Sequence, residues 1–232
     1  GDAEFQKKCL GKMGDVASKE GRTVLFVSHN MAAVQNLCKD TLCITKGAID
    51  FRGNTGQAIT RYLMDNSIDK EHSELDDRLH LGDGRVKIIS IELYNVNNEP
   101  VRQIISGDDI VIRLNYCLNG LHRIEKLVCI INIKSMFGQP LFSCNTRIQG
   151  TYISLLNNHG AICCSIPNLP LNQGRYYLDY YIKQGTDAKE ILDGMEQAII
   201  LDVKNGDFYK TGHNAHQTSS PLLVKHDWKV IN

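Results

Sequence analysis

After residue 84, apolar side chains alternate with polar ones at every second position, which is the period of a half-buried β-strand. The runs that alternate are Val86–Tyr94, Ile110–Tyr116, Leu127–Ile133, Ala161–Ile166, Tyr176–Ile182 and Ala198–Val203. Clusters of Asn, Gly, Pro and Ser separate them, as turn chemistry requires. Short strands at this spacing are typical of two antiparallel sheets packed face to face. The pattern therefore predicts a mainly β chain with an immunoglobulin-like antiparallel β-sandwich over residues 84–232.

The first part of the chain has a different period, in which apolar residues follow helical spacing or form a continuous run. The expected elements are a helix over 5–17, a buried parallel strand Val24–Val27, a helix from Met31, strands Leu42–Thr45 and Ala48–Phe51, and a helix that Thr55 caps. So few strands do not make a core of their own. Residues 1–65 are therefore predicted to be the end of a larger α/β domain whose front half precedes them.

Between the two parts, acidic side chains outnumber basic ones and apolar periodicity is weak. Such composition is typical of a solvated segment without a core. Residues 66–83 are therefore predicted to be an acidic linker that joins the α/β remnant, residues 1–65, to the sandwich, residues 84–232.

The overall composition excludes several classes of function. Lys and Arg together number 26, as do Asp and Glu, so no global field recruits nucleic acid. The 8 cysteines lie at apolar positions without a C-x-x-C pair, which indicates reduced core cysteines in a cytosolic protein. His213 and His216 are spaced like metal ligands, but no companion motif completes a site, so no metal is predicted.

Two short motifs at the start of the chain carry a family resemblance. Gly1-Asp2-Ala3-Glu4-Phe5 and Ser28-His29-Asn30 resemble the D-loop and H-loop of ABC-type ATPases, and within that superfamily the nucleotide-binding subunits of O-antigen exporters of the Wzt type. The later segments Phe137–Phe142, Asn145-Thr146, Leu171–Ile182, Asp207–Tyr209 and Trp228 resemble, in order and spacing, the β-sandwich fused to those ATPases. The resemblance implies that this sandwich binds the exported O-polysaccharide.

The same resemblance implies catalytic roles that only an intact ATPase would use. In such a parent, which binds ATP and Mg, Asp2 would lie at the dimer interface and His29 would contact the γ-phosphate. Taken singly, Asp2 is an ordinary helix cap and His29 a loop histidine before the helix at Met31. The chain contains no G-x-x-x-x-G-K-[ST] phosphate loop and no acidic strand-end motif. We therefore expect it to hold no cofactor and to hydrolyse no ATP by itself.

A sugar site needs flat apolar surfaces for pyranose rings and planar polar groups for paired hydroxyls. In the strand 174–183, Tyr176, Leu178, Tyr180 and Ile182 are predicted to face the core. The opposite row is then Arg175, Tyr177, Asp179, Tyr181 and Lys183.

Neighbouring strands add further outward polar residues: Arg113 and Asn115 on 110–117, and Asn132 and Lys134 on 127–134. If these strands lie side by side, they form one surface suited to a neutral or weakly charged glycan, with Arg113, Asn115, Asn132, Tyr177, Asp179 and Tyr181 as candidate ligand-binding residues. The alternative is that the row is only the solvated side of an antiparallel sheet.

Three functions remain open at this point. The first is glycan recognition for an O-antigen exporter, which implies a transmembrane subunit as partner and a position on the cytoplasmic face of the bacterial inner membrane. The second is an ATPase-subunit fragment of a teichoic-acid or capsule-type exporter, and the third is a purely structural dimerisation domain. A homodimer is expected because the loop Asp207–Ser220 tethers an apolar strand, Leu222–Val224, that can be exchanged between copies.

Overall fold

A computed structural model of the protein describes residues 23–28, 31–45, 47–65, 75, 80–101, 103–120, 123–185, 187–214 and 220–231. The chain divides into two units, and the second begins at Lys70. No helix in the described part of the chain is long and apolar enough to cross a membrane.

The first unit contains two helices and a hairpin over its described residues. They are α1 (Met31–Leu37), β1 (Asp40–Thr45), β2 (Ala48–Asn54) and α2 (Thr55–Asp65), with β1 and β2 antiparallel. The helix α2 is capped by Asn54, whose Oδ1 accepts from Gly56 N at 2.9 Å, and not by Thr55 as predicted. Thr55 Oγ1 instead donates to Cys38 O at 2.7 Å, so this hydroxyl ties α2 to the end of α1.

The predicted strand Val24–Val27 is not a strand in the structure. The described residues 23–28 have no regular secondary structure, and the side chains of Leu25 and Val27 are 84% and 88% exposed. A parallel strand forms only beside other strands of a sheet, and no described residue of this unit pairs with this segment. Beside it lies an apolar cleft of about 670 Å³ that Ile44, Ile49 and Tyr62 also line.

In its described residues the second unit is built of two sheets. The strands are β3 (Val86–Tyr94), β4 (Ile104–Ile105), β5 (Ile110–Leu118), β6 (Ile124–Ser135), β7 (Pro140–Asn145), β8 (Ile153–Leu155), β9 (His159–Ile166), β10 (Gly174–Gln184) and β11 (Glu190–Lys204). The smaller sheet has the order β3-β5-β9, and the larger has β4-β11-β10-β6-β7 with β8 against β6. Every pair is antiparallel except β4 with β11.

The core lies between these sheets, and alternate residues of β5 and β10 fill it, as the period of two predicted. On β5 the inward residues are Ile110, Ile112, Leu114, Tyr116 and Leu118, and on β10 they are Tyr176, Leu178, Tyr180 and Ile182. The predicted inward faces of both strands are therefore confirmed. The β-sandwich predicted for this part of the chain is also what the structure shows.

The residues described within the predicted linker are anchored to the sandwich and are not simply solvated. Leu75 is buried in the core and its N donates to Ile89 O at 3.3 Å. Leu81 N donates to Gly194 O at 2.7 Å. Composition missed these contacts because isolated apolar residues in an acidic segment do not form a periodic pattern.

The last described residues first run beside the segment 170–172 and then leave the sandwich. Leu222 forms an isolated antiparallel bridge with Leu171, and Leu223 is buried. The predicted strand Leu222–Val224 is thus reduced to a bridge. Beyond it, Trp228 is 90% exposed, and Val224, Val230 and Ile231 are exposed as well.

Candidate functional site

The outer face of the larger sheet carries most of the predicted glycan residues. Strand β10 pairs with β6 so that Asp179 lies opposite Asn132 and Tyr177 lies opposite Lys134. Opposite residues of an antiparallel pair project to the same face. Asn132, Tyr177, Asp179 and Tyr181 therefore share one surface, with β10 at its centre.

Asp179 lies on the outward face of β10, as predicted. Its side chain is nevertheless 0% exposed, so it does not reach solvent as a ligand-binding residue would. Its Oδ2 lies 2.5 Å from Lys134 Nζ, and its Oδ1 accepts from Gln197 N at 2.8 Å. Gln197 lies where the β10–β11 register shifts and has a φ of 52°. This bulge turns backbone toward the carboxylate, so Asp179 is a buried support of the face.

The two tyrosines on this face differ in their accessibility. Tyr177 is only 8% exposed, so its substitution would disturb the packing of the fold as well as the binding of any ligand. Tyr181 is half-buried, and its hydroxyl donates to Glu196 Oε1 at 3.0 Å. Burial, and secondarily the Glu196 carboxylate, raises the pKa of Tyr181 well above its usual value. The ring of Tyr181 is therefore the aromatic surface on β10 that is better placed for a ligand.

Arg113 and Asn115 do not belong to this surface, because their strand does not neighbour β6 or β10, as one continuous site would require. Both lie on β5, which is in the smaller sheet, between β3 and β9. The Arg113 guanidinium lies over the Tyr94 ring, with its Cζ 3.8 Å from the ring centre, and donates to Asn98 Oδ1. Asn115 Nδ2 donates to Ser90 Oγ at 2.8 Å. Alternation predicted correctly that these side chains face outward, but it carries no information about which sheet a strand joins.

Sequence reasoning missed two supports of the larger-sheet face. Lys134 was expected to face outward, but its ion pair with Asp179 was not predicted. Glu196 was not predicted at all, because the bulged part of β11 breaks the period of two. An irregular stretch within a long apolar strand, here Gly194 to Gln197, is the one signal that pointed to it.

The face offers binding groups rather than reactive ones. It combines a partly exposed ring, the amide of Asn132 and charges held in pairs, which suits recognition of a polar ligand with apolar patches. Among the described residues, no group of three or more His, Cys, Asp and Glu side chains is placed to hold a metal ion. The predicted catalytic residues Asp2 and His29 lie outside the described residues, as does His216.

Comparison with protein families gives one match that covers most of the second unit. A family described as the Wzt C-terminal domain matches residues 77–216. A solved structure, the crystal structure of the C-terminal domain of wzt, superposes with a TM-score of 0.54 and 18% identity, covering 71% of this chain and 99% of that one. At this identity the likeness concerns the fold, and it agrees with the predicted sandwich.

Curated relatives are export ATP-binding proteins. The O-antigen export system protein RfbB of Myxococcus xanthus is 21% identical over 194 residues, which are 77% of this chain and 44% of that protein. RfbB of Klebsiella pneumoniae is 37% identical over 62 residues, 27% of this chain and 25% of its own length. The teichoic acids export protein TagH of Bacillus anthracis is 32% identical over 62 residues, 27% of this chain and 11% of its own length. The chain spans less than half the length of each of these relatives.

Proposed function

Because the chain belongs to the Wzt C-terminal domain family, we propose that its second unit recognises the polysaccharide that an ABC-type exporter carries. The observation that supports this most directly is the outer face of β6 and β10. There the Tyr181 ring and the Asn132 amide lie on one rigid sheet, above a buried Lys134–Asp179 pair.

The chemistry of this face suits a neutral or weakly charged O-polysaccharide. A pyranose places its C–H groups on an aromatic ring, and neighbouring amides and carboxylates bind its hydroxyls. Glu196 already orients the Tyr181 hydroxyl, and Lys183 Nζ lies 5.8 Å from the centre of the Tyr181 ring. The hydrogen bond to Glu196 restrains the ring, and a restrained ring loses less entropy when a sugar stacks on it.

The first unit supplies the context of transport. Its apolar cleft and the exposed Leu25 and Val27 are what the edge of a larger α/β layer presents. We propose that this unit is the end of an ABC nucleotide-binding domain, in which Asp2 and His29 act together with ATP and Mg. The partner is then a transmembrane exporter subunit, at the cytoplasmic face of the inner membrane.

A teichoic-acid exporter subunit is the second candidate, because TagH of Bacillus anthracis shares 32% identity over its matched segment. That match covers 27% of the chain, whereas RfbB of Myxococcus xanthus matches 77% of it. The longer match favours an O-antigen cargo. A purely structural dimerisation domain is the third candidate, and it predicts that no sugar binds.

Calorimetric titration of the full chain with delipidated O-polysaccharide from the producing strain tests the proposal. We expect Tyr181→Ala to weaken binding by about 1–2 kcal/mol, the usual loss when a stacking aromatic is removed. Tyr94→Ala is the matched control, since Tyr94 is a partly buried tyrosine on the outer face of the smaller sheet. Equal losses in the two variants, or no binding by the wild-type chain, would contradict the proposal.

A further inference from the structure

The segment 80–84 lies along β11 and is held there by a buried polar cluster around Asp193. Asp193 is 1% exposed, and each of its two carboxylate oxygens has hydrogen-bond partners. Its Oδ1 lies 2.6 Å from His80 Nδ1 and accepts from Gly194 N at 2.9 Å, while its Oδ2 accepts from Ile88 N at 2.6 Å and from Tyr180 Oη at 3.1 Å. One side chain thus joins the segment before the sandwich to β3, β10 and β11.

The backbone of the segment continues this attachment along the edge of β11. Leu81 N donates to Gly194 O at 2.7 Å, and Gly84 N donates to Leu192 O at 3.0 Å. Between them, a Cβ added to Gly82 would lie 2.7 Å from Ile191 O, so the two backbones are in close contact. Segment 80–84 therefore covers the side of β11 that faces away from β10.

Gly194 is where this attachment meets the candidate glycan face. In the β10–β11 register Gly194 lies opposite Tyr181, and a Cβ added to Gly194 would lie 2.8 Å from Tyr181 Cδ1. The Tyr181 ring therefore lies directly on the glycine, whose carbonyl oxygen holds Leu81. Gly194 is therefore in contact with the segment 80–84 through its carbonyl oxygen, which accepts from Leu81 N, and with the glycan face through its Cα.

We propose that docking of segment 80–84 and ligand binding at Tyr181 are energetically coupled through Gly194. This inference rests on the proposed glycan-binding function. A sugar stacked on Tyr181 restrains the ring in the position that covers Gly194, and that position requires the β11 edge to be formed. Linkage is reciprocal, so a docked segment strengthens sugar binding by the factor by which bound sugar strengthens docking. His80 acts here as a positioning residue.

Amide hydrogen exchange of the full chain, followed by NMR, tests the coupling without a ligand. We expect Tyr181→Ala to speed exchange of the Leu81 and Gly84 amides by about tenfold, within the usual range of coupling between sites. The reference is the Val101 amide, which donates to Leu93 O outside the larger sheet and should keep its rate. Tyr181→Phe keeps the ring over Gly194 and should leave the Leu81 amide protected.

Tyr177→Ala is the matched control, because Tyr177 lies on the same face of β10 but opposite Ile200. Tyr177→Ala should leave the ratio of the exchange rates of the Leu81 and Val101 amides unchanged. A Tyr181→Ala protein whose Leu81 and Val101 amides change alike, or not at all, would overturn the coupling.

A second arm uses delipidated O-polysaccharide of the producing strain as the probe. His80→Ala should weaken its binding about fivefold or more, and His80→Asn, which keeps a donor for Asp193, should restore part of the affinity. Equal affinity of His80→Ala and wild type refutes the coupling. Failure of the wild-type chain to bind the polysaccharide refutes the glycan proposal instead, and the exchange measurements still decide whether Tyr181 and segment 80–84 are coupled.

Discussion

Replacing Lys134 by Met tests whether the buried ion pair supports the candidate glycan face. Methionine keeps most of the volume of the lysine stem and removes the ammonium group that lies 2.5 Å from Asp179 Oδ2. The carboxylate then stays in a site where it is 0% exposed, and it keeps the hydrogen bond that Gln197 N donates to its Oδ1. A buried charge that loses its partner is strongly destabilising.

The expected loss is smaller than for a fully enclosed pair, because the Lys134 side chain is 23% exposed and water replaces part of its interaction. Removing one partner of a buried pair costs about 3–5 kcal/mol, so we expect about 2–4 kcal/mol in this position. With a urea m-value of about 2 kcal/mol/M, the unfolding midpoint should fall by roughly 1–2 M.

Urea unfolding followed by circular dichroism measures this loss, and Lys183→Met is the matched control. Lys183 is on the same face, and its Nζ lies 5.8 Å from the centre of the Tyr181 ring, so its loss should cost under about 1 kcal/mol. The double variant Lys134→Met/Asp179→Asn should recover part of the stability, since no buried charge is then unpaired. Equal midpoints for Lys134→Met and Lys183→Met would refute the assignment.

Three further predictions concern pH, assembly and nucleotide. Burial raises the pKa of Tyr176 to about 12 from a usual 10.0, so this tyrosine ionises first in the unfolded chain and its share of the stability, about 2–3 kcal/mol, is lost as pH rises from 10 to 12. In urea unfolding at the two pH values Tyr176→Phe should therefore lose less stability than wild type, and an equal loss would contradict the assignment. Light scattering should give the mass of a dimer, because the exposed Trp228 and Val230 can pack on a second copy, and deletion of residues 221–232 should reduce it to the mass of a monomer. A monomer mass for the wild-type chain would contradict strand exchange. Magnesium-dependent ATP turnover should be absent, and turnover that His29→Ala abolishes would disprove this expectation.

The period of two was enough to predict the sandwich and the inward faces of β5 and β10. Tyr176, Leu178, Tyr180 and Ile182 are in the core as expected, because alternation is a local property of an extended backbone. Strand neighbours depend on long-range pairing, which leaves no local trace. For that reason alternation predicted the outward direction of Arg113 correctly but could not show that it lies on the smaller sheet, away from Tyr181.

The buried carboxylates were beyond sequence reasoning for a related reason. Asp179 and Asp193 are both supported by backbone N–H groups at irregular positions of β11 or on another strand. A bulge such as the one at Gln197 changes what a polar residue contacts without altering its own alternation. His80 lies in an acidic stretch that composition predicts to be solvated, and its contact with Asp193 exists only in the folded chain.

The pairing of charges on the larger-sheet face bears on which polymer it suits. Asp179 neutralises Lys134, Glu196 accepts from the Tyr181 hydroxyl, and Arg175 lies 3.9 Å from Asp202. A polyanionic polymer such as a teichoic acid would have to compete with these carboxylates for the cations. A neutral sugar needs only the ring of Tyr181 and hydrogen bonds, and leaves the pairs intact. For the glycan site proposed above, the arrangement of charges therefore favours an uncharged O-polysaccharide over a polyanion, independently of the lengths of the matches to RfbB and TagH.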